Sequence, residues 1–134
     1  IGLHGCTDTK PSLSELAIGL GVDVTVTGHD HNYMRTHQLR GTKAAPVVID
    51  KDNAYARQTE FTKGTVFAVV GNGGHNPRTI TQTRPAWMKV ANGTNSPGGF
   101  AYGFGEIVAT DTTLTWRHVS AGGAPLSDTF TITR

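Results

Sequence analysis

The chain has 134 residues, 37% of them hydrophobic and 16% charged, which suits a soluble globular fold with a real core. Its formal net charge of +2 comes without a Lys/Arg cluster, so a nucleic-acid partner has no electrostatic support. The apolar runs fall far short of a membrane span, no stretch reads as a signal peptide, and the single cysteine, Cys6, allows no internal disulfide.

Ile1-Gly2-Leu3-His4 reads as the tail of a strand already under way, so the chain is expected to be a fragment or a processed piece. A polar loop follows over 5–10. Ser12 then suits a helix N-cap, with Glu15 three residues on completing a capping box. Leu13, Leu16, Ala17 and Leu20 recur at helical spacing as one apolar stripe, and Gly19 and Gly21 supply a stop. Residues 22–27 are β-branched almost throughout, as a strand buried on both faces reads. Strand, short helix and buried strand make a βαβ unit with a parallel pair.

Gly28 ends that strand, and His29 and His31 follow with one residue between them. In an extended chain such residues share a side, and a glycine-preceded pair can also converge within a tight loop. Neutral imidazole is the commonest transition-metal ligand, so this loop is a metal-site candidate. Onward, 32–36 is predicted extended, 37–45 a polar connection and 46–49 a short edge strand. Residues 50–63 read as a long surface loop and 65–70 as a second buried strand, ending in the glycine-rich turn Gly71-Asn72-Gly73-Gly74-His75-Asn76.

Residues 79–99 mix turn formers with Trp87 and Met88 and are predicted to be irregular. The remainder is antiparallel in character: strands over 104–109, 114–119 and 128–133 with turns between. Asn92-Gly93-Thr94 is an N-glycosylation sequon, which fits an exported protein. No repeat or linker divides the chain.

The stretch Gly28-His29-Asp30-His31-Asn32-Tyr33-Met34-Arg35-Thr36 resembles the closing motif of calcineurin-like metallophosphoesterases, closest to the purple acid phosphatase branch. The strand and glycine-rich turn over 65–74 are similar to the family's in the same order. So are Gly103-Phe104-Gly105-Glu106-Ile107 and Leu114-Thr115-Trp116-Arg117, which resemble its late hairpin. The resemblance implies an α/β fold: the C-terminal half of a four-layer α/β/β/α sandwich, mostly strands with one short helix near the N-terminus. Residues 1–134 would then be half of a catalytic domain rather than an independent one.

Carried over by position, His29 and His31 would each bind one of two metal ions, and His4 would add a third imidazole. With soft thiolates absent, Fe, Zn, Mn and Ca all stay open. The family's Asp-x-His, Gly-Asp and Gly-Asn-His motifs do not occur as a set here, so the bridging carboxylate and the acid/base histidine are expected from an N-terminal half, as a separate chain or a removed segment. The implied reaction is hydrolysis of a small phosphate mono- or diester by metal-bound hydroxide, in a secreted or periplasmic setting. Two alternatives stand beside it: a catalytically silent binding or structural module, and the same fold acting on phospholipid head groups or nucleotides.

His75 and Asn72, in the glycine-rich turn, are candidates for binding the phosphate ester, with an ordinary turn role for each equally open. Tyr33 and Arg35 are expected to anchor the metal loop by packing and a charge-assisted bond. Trp87 and Trp116 are read as core rather than substrate-flanking, and His37 and His118 are left unassigned.

Overall fold

A computed structural model describes residues 11–42, 44–50, 52–56, 64–81 and 84–133. The expected strand at 1–4, with His4, the loop carrying Cys6 and residues 57–63 lie outside the described residues.

The helix α1 (Leu13–Gly19) forms where its cap predicts it. Glu15 N–H donates to Ser12 Oγ at 3.4 Å, and Ser12 N–H donates to the Glu15 carboxylate at 2.8 Å. Its apolar stripe is largely uncovered. Only Ala17 is buried, while Leu13, Leu16 and Leu20 rim a groove of about 360 Å³ against Thr25, Thr27 and Phe67.

Among the described residues nine strands follow: β1 (Val24–Thr27), β2 (Tyr33–Gly41), β3 (Pro46–Asp50), β4 (Ala54–Ala56), β5 (Thr65–Val70), β6 (Met88–Asn92), β7 (Ala101–Ala109), β8 (Thr113–Gly123) and β9 (Thr129–Thr133). The first sheet has the order β1-β5-β2-β3, with β6 also on β2. β1 and β5 run parallel, and the other pairs are antiparallel. The far side of β2 is shared, Tyr33 to Thr36 pairing with β6 and Gln38 to Gly41 with β3. The second sheet runs β4-β9-β8-β7, and its β7–β8 hairpin is the late hairpin expected from the motif. Gly105 is required there, because a Cβ on it would lie 2.1 Å from the Trp116 indole.

Four expectations are corrected. β1 is half-buried rather than buried on both faces, with Val26 exposed, because among the described residues β5 is its only neighbour. The polar connection predicted at 37–45 is strand as far as Gly41, because His37 and Gln38 are buried at the middle of the first sheet. A bulge there turns the Thr36 hydroxyl inward to accept the Phe67 N–H at 3.0 Å, replacing a ladder bond. The irregular stretch at 79–99 contains β6, and the long loop at 50–63 contains β4, each supported by pairing to a neighbour.

Tyr33, Val66 and Ala68 of the first sheet meet Tyr55, Trp116, Phe130 and Ile132 of the second. On the opposite face of the first sheet Ala17, Leu39 and Phe67 form a smaller cluster, to which Trp87 adds its half-buried ring. Both tryptophans are therefore core residues. Asn92 of the sequon is also structural: it is buried, with its Nδ2 donating to Gly99 O at 3.0 Å and its Oδ1 accepting Ala101 N–H at 2.9 Å. The nitrogen that would carry a glycan is turned inward and bonded.

Between the sheets lies a buried charge pair. Arg35 donates to Asp128 through Nε at 2.7 Å and Nη2 at 2.6 Å, a bidentate fork. Tyr33 adds its hydroxyl to Asp128 at 2.6 Å and in turn accepts the Trp116 indole N–H at 3.0 Å. The remaining guanidinium donors go to Tyr55 Oη, Asn53 Oδ1 and Thr36 O, and the group stacks over Phe130 at 4.9 Å. Burial alone would pull the Arg35 pKa down, but the hydrogen bonds and charge of Asp128 outweigh it and raise the value. Burial, then the Asp128 charge, pushes the Tyr33 phenol far up, so it stays a donor. Removing one member strands the other as an uncompensated buried charge. Asp128→Ala is expected to lower unfolding free energy by about 3–5 kcal/mol, read from urea midpoints, whereas a surface-pair change such as Glu106→Ala is expected to cost about 1 kcal/mol or less.

Candidate metal centre

Because β1 and β5 are parallel, both leave the sheet at the same end. The loop 28–32 leaves one, the turn 71–78 leaves the other, and the two lie against each other. Asp30 N–H bonds Gly28 O at 3.0 Å, and Asn32 N–H bonds Asp30 O at 2.8 Å. Each candidate imidazole is thus the central residue of a three-residue turn, and His29 sits at φ 72°, a conformation few side chains adopt. The loop is tight rather than extended, so same-side alternation does not describe it.

The glycine-rich turn grips this loop by backbone contacts. Gly71 N–H donates to Asn32 O at 3.0 Å and Arg78 N–H to His31 O at 2.9 Å. A Cβ on Gly71 would fall 1.8 Å from Asp30 O, so only glycine permits the approach. His31 Nδ1 lies 2.9 Å from Asn76 O, and a carbonyl can only accept, so Nδ1 carries a proton and in the neutral ring the lone pair is on Nε2. That is the tautomer of a metal-ligating imidazole oriented by a backbone acceptor. For His31 that acceptor is the Asn76 carbonyl. Asp30 is buried, with Oδ1 3.9 Å from Arg78 Nη1.

Of the predicted site residues, His31 and His75 are brought together, their rings edge to face at 4.4 Å. His29 is exposed on the same loop, and His4 lies outside the described residues. Among the described residues no three His, Cys, Asp or Glu side chains cluster as a complete metal site. Asn72 stands behind the turn. It is fully buried, its Nδ2 donating to Ala101 O at 2.8 Å and to His118 Nε2 at 2.9 Å. For Nε2 to accept, His118 must be neutral with its proton on Nδ1, which faces Leu126 O at 3.3 Å. Burial, the largest influence, lowers the His118 pKa. Asn72 and His118 therefore bolt the turn to the second sheet, an assignment sequence left open for the histidine.

The sequence reading missed Asn76, Arg78 and Asp128. Asn76 acts through a main-chain carbonyl, which residue type does not advertise. Asp128 is 93 positions from Arg35.

No family model matches the chain. Over 93% of its length it is 27% identical to the "Probable inactive purple acid phosphatase 27" of Arabidopsis thaliana, covering 18% of that protein. Over 93% it is also 28% identical to the "Nucleotide pyrophosphatase/phosphodiesterase" of Hordeum vulgare, covering 31%. Its fold superposes on a purple acid phosphatase from yellow lupin (Lupinus luteus) seeds with TM-score 0.71 and 26% identity, over 92% of this chain and 19% of that one. The fold is thus the calcineurin-like α/β fold of metallophosphoesterases. Within it the purple acid phosphatase branch is the resemblance that holds, and the chain spans roughly a fifth to a third of these relatives.

Two outcomes follow from this geometry. His29→Gly relieves the positive φ and is expected to leave unfolding free energy equal or up to about 1 kcal/mol higher, while removing a candidate ligand; a loss of stability in a urea titration would contradict the strained turn. For His118, a folded pKa below the ordinary value of about 6.5 means the unfolded chain binds the extra proton first. Its stabilising contribution is therefore complete above that pH and is lost as pH falls through the lower folded value. The difference in urea midpoint between wild type and His118→Gln is expected to shrink as pH drops below about 6.5.

Proposed function

We propose that this chain is the C-terminal half of a dinuclear metallophosphoesterase catalytic domain and hydrolyses a phosphate mono- or diester when joined with its N-terminal half. The observation that carries the reading is the His31 imidazole, held by the Asn76 carbonyl in the tautomer that leaves Nε2 for a cation. His29 and His31 would hold one ion each and His4 would supply a third imidazole. The ions, Fe, Zn, Mn or Ca, would polarise the phosphoryl oxygen and lower the pKa of water.

The chain's own residues then position. The turn 71–78 fixes His31 from both sides, and neutral imidazoles leave the cationic charge of the site undiminished. His75, exposed and with its ring against His31, would line the volume where the ester sits. Asn72, being buried, acts by holding that turn rather than by touching substrate. Its Oδ1, like that of Asn32, is buried without a hydrogen-bond partner among the described residues. Such oxygens call for a donor or cation, and a companion segment could provide either. The N-terminal half would contribute the bridging carboxylate and the acid/base histidine. A secreted or periplasmic setting accords with this reading, and no described helix is long and apolar enough to cross a membrane.

A second reading, a silent module, draws on the word "inactive" in the name of the Arabidopsis relative. The barley relative's name favours a nucleotide as the ester. Metal analysis of the full-length protein separates the readings. Close to two ions per polypeptide are expected, with His31→Ala losing at least one and phosphatase activity falling at least about a hundredfold. Stoichiometric metal-free protein with unaltered folding would establish the silent module instead.

A further inference from the structure

Resting on the reading of the loop as a metal site, we infer that Arg78 is a substrate-anchoring residue, its guanidinium binding the non-bridging oxygens of the phosphate ester. Nothing in the ligand set or in the glycine-rich motif assigns it that role.

Four observations place it. Arg78 ends the turn that wraps His31, and its N–H is bonded to the His31 carbonyl at 2.9 Å, so its backbone is fixed relative to the candidate ligand. Its own carbonyl accepts the Thr94 N–H at 3.1 Å, which anchors the residue from the other side. The side chain folds back toward the loop, bringing Nη1 to 3.9 Å from Asp30 Oδ1, yet stays 55% exposed. At that separation the carboxylate forms no hydrogen bond with the guanidinium, so its planar donors remain available. Contrast Arg35 and Arg117, whose guanidinium groups are held by short carboxylate bonds of 2.6 Å and 2.7 Å.

A solvent-facing guanidinium on a backbone fixed to the His31 carbonyl is suited to an anion with several oxygens. Bidentate Arg–phosphate bonding supplies both charge and orientation. Here it would hold the ester against the metal loop while contributing to charge stabilisation as the phosphoryl group is transferred. The alternative is a surface ion pair with Asp30 that merely steadies the loop, and the two make different demands on Asp30.

The experiment uses full-length metal-loaded protein and inorganic phosphate as probe, followed by equilibrium dialysis and as a competitive inhibitor of p-nitrophenyl phosphate hydrolysis. Arg78→Gln is expected to weaken phosphate binding about tenfold or more, raising KM more than it lowers kcat, with metal content and melting temperature unchanged. Arg78→Lys should recover part of the affinity, since it restores charge without the fork. Asp30→Asn should keep or tighten phosphate binding, because it removes a competing anion. Equal affinity in wild type and Arg78→Gln overturns the assignment while leaving the metal site standing. An Asp30→Asn loss matching that of Arg78→Gln also overturns it, by showing a purely structural pair. Wild-type protein that binds neither metal nor phosphate removes the reading of the site and this inference with it.

Discussion

The bidentate bond between Arg35 and Asp128 is the constraint on which the arrangement rests. Arg35 lies on β2, four residues after His31, and Asp128 immediately precedes β9 of the other sheet. A salt bridge this buried is not in itself a source of net stability, because desolvating both charges offsets most of their attraction. Its effect is selective. A register that failed to bring the guanidinium to the carboxylate would bury an unpaired charge, so competing alignments of the two sheets are heavily penalised. Tyr33 and Trp116 extend the same network and start β2 at a defined height, which fixes where the loop before it must emerge.

From that fixed start the site follows by topology. Parallel β1 and β5 release their chains at one end of the first sheet, as ligand-binding crevices in α/β folds generally require. The two connections are then close enough to bond main chain to main chain, provided neither carries a Cβ at the contact. Gly71 meets that condition, and the side chains of Asn72 and His118 tie the turn behind it to the second sheet. His31 is thus braced through Asn76 by a turn that is itself braced from the core, so the orientation of its ring is inherited from the packing of the two sheets.

What could be read from sequence was what depends on neighbours in the chain. The capping box at Ser12, the run of β-branched and apolar residues in β5 and the Gly-His-Asp-His loop all announce themselves over a few residues. β2 beyond Thr36 did not, because His37 and Gln38 are polar residues made acceptable inside by partners that sequence does not display. β6 was hidden for a related reason: its pairing with β2, not its composition, makes it a strand. The sequon misled in the other direction. It is a pattern for an exposed loop, yet the Asn92 amide satisfies two backbone groups in the interior. The Arg35 side of the central pair was suspected from charge alone, while its partner lay 93 residues away with no local signature.

Local rules are broken at several places, Asn53 at φ 61° and Gly64 against the Leu39 backbone among them, but several departures gather at one. A non-glycine residue at positive φ, a glycine under backbone contact and two buried amide oxygens without partners all fall within the loop 28–32 and the turn that holds it. Each is a departure that folding alone would select against, and a sequence free to optimise stability would relieve them with a glycine at 29 or a hydroxyl near the amides. Departures gathered in one small volume are what a position shaped by binding would show. The same loop and turn carry the paired imidazoles of His31 and His75, and Arg78 ends the turn with its guanidinium 3.9 Å from the Asp30 carboxylate. If the proposed metal site forms, carboxylates from a companion segment and phosphate from the substrate would supply the negative charge it needs.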